Sequence, residues 1–432
     1  MTTKHNEQFT IRGLNGAKKL RGSIAVKGAK NAVLKSMAAS ILFEDPLMLG
    51  NVPQIEDVER MAEILRGLGA SAARTGEDGY SIDTRAVTSA ELDDDLARRL
   101  RASIVFAGPL LGRFGRTSFP HPGGDVIGPR PINLFLEGFK AMGCEVEAAN
   151  DRYTVTAKNG LRGAEIFFLF VTVTGTETLM MAATQAKGKT VLKNAAMEPE
   201  ITALAEFLNT CGANIKGAGT PTIEIEGGCL LRSGGKIFNT TPDRIEAGTF
   251  MLLGALAAEE LIIKDCEPKH CDMLIRLLRE SGTEVETAAT SITVRNGSRQ
   301  ERRPLQVRTH EYPGFATDLQ PPMVVYLTQA PGESSVFETI WGGRLNYTGD
   351  LVRMGADITL WNPQQITIKG PTSLRGQELE SPDIRAGLAF LMAATIAEGT
   401  STLHNIYHID RGYEKIEERL QKIGLEIQRV KE

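Results

Sequence analysis

The sequence predicts an α/β protein of two domains, each built from three copies of one unit. Three observations predict it. An amphipathic helix that runs into a glycine and then a short alternating strand recurs along the whole chain. The glycines fall at near-equal intervals. The 432 residues are also too many for one ordinary core, so two domains of roughly 200 residues are expected.

The instances are RMAEILRGLGASAAR, FLEGFKAMGCEVEA, LAEFLNTCGANIKG, LIRLLRESGTEVET, TGDLVRMGADITLW and IEERLQKIGLEIQR. Their glycines are Gly69, Gly143, Gly212, Gly282, Gly355 and Gly424, which by subtraction lie 74, 69, 70, 73 and 69 residues apart. Each sits where a helix must stop and become a strand, a position that favours left-handed backbone and hence glycine. Most of these strands are followed by a turn and a second strand, as in GYSIDT, RYTVTA, PTIEIEG and SITVRN. Upstream of most of the helices lies a second apolar segment ending in a small-residue turn, such as FMLLGALAAEELIIKDC or FLMAATIAEGTSTLHNI. The unit is therefore a helix, a strand, a helix and a strand pair in roughly 70 residues, longer than the roughly 20–50 typical of a solenoid repeat.

Composition narrows the function. With 42% hydrophobic and 24% charged residues the chain is that of a soluble globular protein, not a disordered or fibrous one. A net charge of −4 gives no general attraction to nucleic acid or an anionic membrane, so an anionic ligand must meet a local cluster of Arg and Lys. Cys144, Cys211, Cys229, Cys266 and Cys271 form no CxxC pair. Cys266 and Cys271 flank His270, but a zinc site needs more ligands at tighter spacing, so buried thiols and no metal are expected. The N-terminal MTTKHNEQFT is polar and no 18-residue apolar run occurs, which predicts a cytoplasmic location without a membrane anchor.

Six short segments could carry chemistry. Gly28-Ala29-Lys30-Asn31-Ala32 lies between the strand SIAVK and the helix NAVLKSMAASILF, putting a Lys and an Asn where a helix N-terminus favours an anion. Leu100-Arg101-Ala102-Ser103 opens an apolar helix with a base. From Pro122 to Pro131, three glycines and three prolines surround Asp125 and Arg130, the composition of a functional loop. Thr317-Asp318-Leu319-Gln320, Asp383-Ile384-Arg385-Ala386 and His408-Ile409-Asp410-Arg411-Gly412-Tyr413 each put an acid or an Arg beside a turn or a helix start. Taken singly, each reads as a solvated surface charge.

Together they are specific. GAKNA, LRAS, PGGxxIGxRP, PDRIEAGTF, TDLQ and HIDRGYE, in this order, resemble the UDP-N-acetylglucosamine enolpyruvyl transferases from Ile11 to Val430. The resemblance implies two similar domains of three repeats, helices inside and sheets outside, an inside-out α/β barrel in each, closing over the substrates. It implies a division into 30–241, with a mobile PGG loop, and 1–29 joined to 242–432. The implied substrates are phosphoenolpyruvate and UDP-N-acetylglucosamine, with no cofactor, for the first committed step of peptidoglycan synthesis. An enolpyruvyl transferase for another acceptor and a non-catalytic UDP-sugar-binding relative are the alternatives, and the retention of Lys30, Asp318, Arg385 and Arg411 argues against the second.

The resemblance also implies residue roles. Lys30 and Asn31 face phosphoenolpyruvate and the sugar, while Arg101, Arg130, Arg344, Arg385 and Arg411 supply positive charge around the substrates and the leaving phosphate. Arg130, Pro131, Ile132, Asn133 and Leu134 run along the UDP-sugar, which Thr172, Val173 and Ile340 also contact. Asp318 lies at the attacking hydroxyl. Two positions depart from the family. Asp125 occupies the loop position usually held by cysteine, where a carboxylic acid of raised pKa can still donate a proton. In Thr172-Val173-Thr174-Gly175-Thr176 the glycine stands one place later than in the usual Ser-Val-Gly-Ala-Thr.

Overall fold

The computed structural model describes residues 7–123, 131–228, 230–295 and 302–431. They form two compact units, one running from Gly28 to Thr241 and the other joining the residues up to Lys27 to those from Pro242 onward. Each unit has its own apolar core.

One sheet plan is repeated through both units. In the first, Ile237–Asn239 runs parallel to Leu47–Gly50, which pairs antiparallel with Gly79–Asp83 and through it with Ser71–Thr75. The same order holds for Glu165–Phe167, Lys189–Lys193, Thr222–Glu226 and Asn214–Lys216. In the third sheet Arg116–Pro120, Arg152–Thr156 and Glu145–Ala149 keep the plan, with the parallel strand shortened to a bridge between Glu91 and Ser118.

The second unit gives three more. They are Leu20–Ala25 with Ala258–Lys264, Ser291–Arg295 and Glu284–Thr287, then Gln306–Arg308 with Gly332–Phe337, Gln365–Gly370 and Asp357–Asn362. In the last, Glu378–Glu380 and Thr400–His404 are completed by Glu7–Arg12 and Ile427–Lys431. The sixth hairpin thus takes one strand from each end of the chain, which is why the first residues belong with the last.

The repeated glycines behave as their spacing predicts. Gly69, Gly143, Gly212, Gly282, Gly355 and Gly424 have φ of 101, 88, 109, 92, 110 and 101°. In each case the next residue's N–H reaches back five positions, as from Ala70 to Leu65 at 2.9 Å and from Leu425 to Leu420 at 3.1 Å. That is the bond of a Schellman cap, and a side chain at the left-handed residue would be strained.

Helix composition follows burial. Ile384–Ile396 is buried at every residue and Arg244–Ala257 at all but its first, and beyond their polar first turns both are almost wholly apolar. By contrast Asp272–Glu280 buries one face, with Leu274, Ile275, Leu277 and Leu278 inward. Truncating a core leucine such as Leu391, 1% exposed, to Ala would cost about 2–5 kcal/mol. Among the described residues no helix is long and apolar enough to cross a membrane. Cys144, Cys211, Cys266 and Cys271 are buried, and burial pushes the thiols of Cys144 and Cys266 up to about 11 and that of Cys271 to about 12.

Candidate active site

In the second unit, Asp318 sits in the single turn Thr317–Leu319 that leads into the buried helix Gln320–Leu327. Pro321 and Pro322 occupy the first turn of that helix, where a missing N–H costs nothing, so the chain enters the helix at a fixed point just after Asp318. Arg385 is the second residue of Ile384–Ile396, whose start is capped by the Asp383 carboxylate accepting from the N–H groups of Arg385 at 2.8 Å and Ala386 at 3.1 Å. Such a cap is worth about 1 kcal/mol.

These elements meet at one carboxylate. Asp318 Oδ1 accepts from Arg344 Nη2 at 3.0 Å, and Oδ2 accepts from Arg385 Nε at 3.0 Å and Nη2 at 2.8 Å. Arg344 and Arg385 are only 4% and 6% exposed. Burial and a helix N-terminus both oppose a cation at Arg385. The carboxylates of Asp318 and Asp243 outweigh the burial and hold its proton affinity above the usual guanidinium range. Arg344 Nε is buried with no hydrogen-bond partner among the described residues.

Tyr413 backs the pair. Its hydroxyl lies 3.3 Å from Arg385 Nη1 and 3.1 Å from Thr249 Oγ1, and burial raises the phenol to about 12. Arg411 is buried two residues earlier, beside the turn Tyr407–Asp410. Asp410 is held by Arg429, with Nη1 donating at 2.9 Å and Nη2 at 2.7 Å, so this acid of HIDRGYE is structural.

In the first unit, Lys30 opens the helix Lys30–Ala39, with Asn31 next to it. Lys30 Nζ contacts Asp57 Oδ2 at 3.0 Å, on the helix Glu56–Gly67, so the ammonium is aimed by a buried carboxylate. Arg101 Nη1 donates to the Pro122 carbonyl at 3.3 Å. A side chain at Gly123 would have its Cβ 1.6 Å from the Arg98 carbonyl oxygen, so the PGG segment begins pressed against Arg98. Asp125 and Arg130 lie outside the described residues.

Beyond the loop, Pro131 and Asn133 are exposed and Leu134 is half-buried. The Ile132 side chain turns into the core at 2% exposure. Thr172 caps the helix Val173–Ala183 by accepting from Gly175 N–H at 3.2 Å. A Cβ at Gly175 would lie 2.4 Å from Thr172 Cγ2, which explains the shifted glycine. The helices that begin at Lys30 and Val173 are joined by Lys35, whose Nζ is 3.2 Å from Glu177 Oε2, a contact of charge rather than of aligned hydrogen bonds.

Reading the sequence missed Asp57, Glu338 and the role of Tyr413. Glu338 is wholly buried and accepts from the N–H groups of Ile340 at 2.9 Å and Trp341 at 3.2 Å.

The sequence profile of the EPSP synthase (3-phosphoshikimate 1-carboxyvinyltransferase) family matches residues 14–420. The chain is 41% identical over 418 residues to a UDP-N-acetylglucosamine 1-carboxyvinyltransferase of Desulforapulum autotrophicum, covering 97% of this chain and 99% of the relative. Another of that name, from Halothermothrix orenii, is 42% identical over 424 residues, covering 98% and 100%. Among solved structures, the enolpyruvyl transferase NikO from Streptomyces tendae is similar with a TM-score of 0.87 at 24% identity, covering 99% of both chains. An EPSP synthase from Acinetobacter baumannii gives 0.75 at 18% identity, covering 98% of this chain and 100% of that one.

Proposed function

The chain belongs to the UDP-N-acetylglucosamine 1-carboxyvinyltransferases, and from that premise we propose that it transfers the enolpyruvyl group of phosphoenolpyruvate to the 3-hydroxyl of UDP-N-acetylglucosamine, releasing phosphate. The observation that carries the reading is the Asp318 carboxylate held between Arg344 and Arg385, an acceptor of fixed position beside buried cations.

Asp318 orients the sugar hydroxyl and accepts its proton as the oxygen attacks the central carbon of phosphoenolpyruvate. Asp125 protonates the methylene carbon, giving a tetrahedral phospho-intermediate. Loss of a proton from the new methyl group then expels phosphate and restores the double bond. Lys30, Arg101, Arg130, Arg344, Arg385 and Arg411 hold the phosphate and carboxylate, and they stabilise charge where it develops. Pro131 to Leu134, Asn31, Thr172, Val173 and Ile340 contact the nucleotide-sugar. The chemistry needs no redox cofactor or metal.

Each unit is read as an inside-out α/β barrel of three repeats, supported by three sheets of one plan in each and, in the second, by the buried helices Arg244–Ala257 and Ile384–Ile396. We assign the reaction to the cytoplasm, as the committed step toward peptidoglycan. The test is the product. UDP-N-acetylglucosamine incubated with enzyme and phosphoenolpyruvate gains the mass of one enolpyruvyl ether at the 3-position, and an unchanged sugar nucleotide rejects the assignment.

A further inference from the structure

Glu338 is a carboxylate in an unusual setting. It is 0% exposed and makes no ion pair among the described residues. Its charge is met by four donors on three chain segments. Oε1 accepts from Thr309 Oγ1 at 3.0 Å and from the N–H groups of Ile340 at 2.9 Å and Trp341 at 3.2 Å. Oε2 accepts from Thr317 Oγ1 at 2.9 Å, one residue before Asp318. Thr309 adds a second tie, accepting from Thr339 N–H at 2.8 Å and receiving the Thr339 hydroxyl at its own carbonyl at 2.6 Å.

We propose that Glu338 is a positioning residue that fixes the turn bearing Asp318 against the segment 340–341, and so sets where the acceptor hydroxyl lies relative to the proton-accepting carboxylate. This rests on the reading of Asp318 and Ile340 given above. The physical reason is one of geometry. Asp318 is oriented by Arg344 and Arg385, but its backbone lies in a single short turn, and a short turn holds its place only through what it is bonded to. Glu338 binds that turn and the Ile340 amide through the two oxygens of one rigid, desolvated group. A bond to each from a separate side chain would fix neither relative to the other. A buried carboxylate that accepts two N–H and two O–H groups is held at four points, so rotation of the group would break several bonds at once. Displacement of reacting groups by about 1 Å is enough to cost roughly a hundredfold in rate.

A role confined to stability would lower the melting temperature and leave the Michaelis constants alone, or move both alike. The positioning role separates them. Glu338→Ala raises the KM for UDP-N-acetylglucosamine by about tenfold and lowers kcat, with the KM for phosphoenolpyruvate nearly unchanged. Glu338→Gln largely rescues both, because its carbonyl can accept from the two amides and its NH2 can donate to Thr317. Thr317→Val cuts only the tie to the Asp318 turn, so kcat falls while the KM for UDP-N-acetylglucosamine holds. Wild-type KM values in Glu338→Ala, or equal rises for both substrates, overturn the proposal. If Glu338→Ala does not fold, an unchanged kcat in Thr317→Val overturns it. Asp318→Asn is the control for the underlying reading, since full turnover there removes Asp318 from the mechanism whatever Glu338 does.

Discussion

Arg385 directs two nitrogens at a single oxygen of Asp318, Nε at 3.0 Å and Nη2 at 2.8 Å. The other oxygen is left to Arg344. A lysine cannot make that convergent pair, because it carries one point charge in place of a planar fork. Arg385→Lys is therefore expected to keep the fold and lose most turnover. Arg385→Ala loses turnover and also about 3 kcal/mol of stability, as for other ion pairs with a buried partner, measured by urea unfolding.

Tyr413→Phe removes a buried hydroxyl that touches Thr249 and Arg385 without altering the Asp318 contacts. Stability should fall by about 1 kcal/mol, while kcat changes far less than in Arg385→Lys. A collapse of kcat equal to that of the arginine variant would mean that the phenol itself takes part in the reaction.

Glu177 makes stability depend on pH. Burial raises its pKa from 4.5 to about 7, opposed by Lys35 and reinforced by Glu200 and Glu198. An acid whose folded pKa is raised favours folding when protonated. The contribution is thus present below the unfolded value and is lost as pH rises through the folded one. Between pH 5 and 8 the unfolding free energy should fall by on the order of 2–3 kcal/mol from this group. Glu177→Gln flattens that slope, measured by denaturant unfolding at each pH, and an unaltered slope would show that another group is responsible.

The six helix-to-strand junctions were legible because each helix closes in a position that only glycine fills easily, and the six left-handed glycines stand where the spacing puts them. Motif order alone pointed to the candidate site residues. Asp318 is 26 residues from Arg344 and 67 from Arg385, and no local pattern connects acids and bases at such separations. Glu338 and Asp57 escaped because a buried acid satisfied by hydroxyls, amides or one lysine looks in sequence like any surface charge. Tyr413 lay inside a recognised motif, yet its bond to Arg385 depends on how two helix ends meet.

Asp125 stands where the family usually has cysteine. Fosfomycin alkylates that cysteine, and a carboxylate attacks an epoxide far more slowly than a thiolate. The enzyme should keep full turnover after incubation with UDP-N-acetylglucosamine and fosfomycin, with no mass adduct, and Asp125→Cys should become sensitive. Asp125→Asn should bind ligands and lose turnover, because an amide supplies no proton. Time-dependent inactivation with an adduct on the loop would refute the resistance.

Acceptor-dependent phosphate release addresses enolpyruvyl transfer most directly. Purified enzyme is given phosphoenolpyruvate alone, with UDP-N-acetylglucosamine, or with shikimate 3-phosphate, and phosphate is followed in wild type and Asp318→Asn. Release should require UDP-N-acetylglucosamine, match the sugar nucleotide consumed one for one, and be nearly abolished in Asp318→Asn. Release that shikimate 3-phosphate supports and UDP-N-acetylglucosamine does not would contradict the assigned acceptor, and no release with either would contradict the assigned reaction.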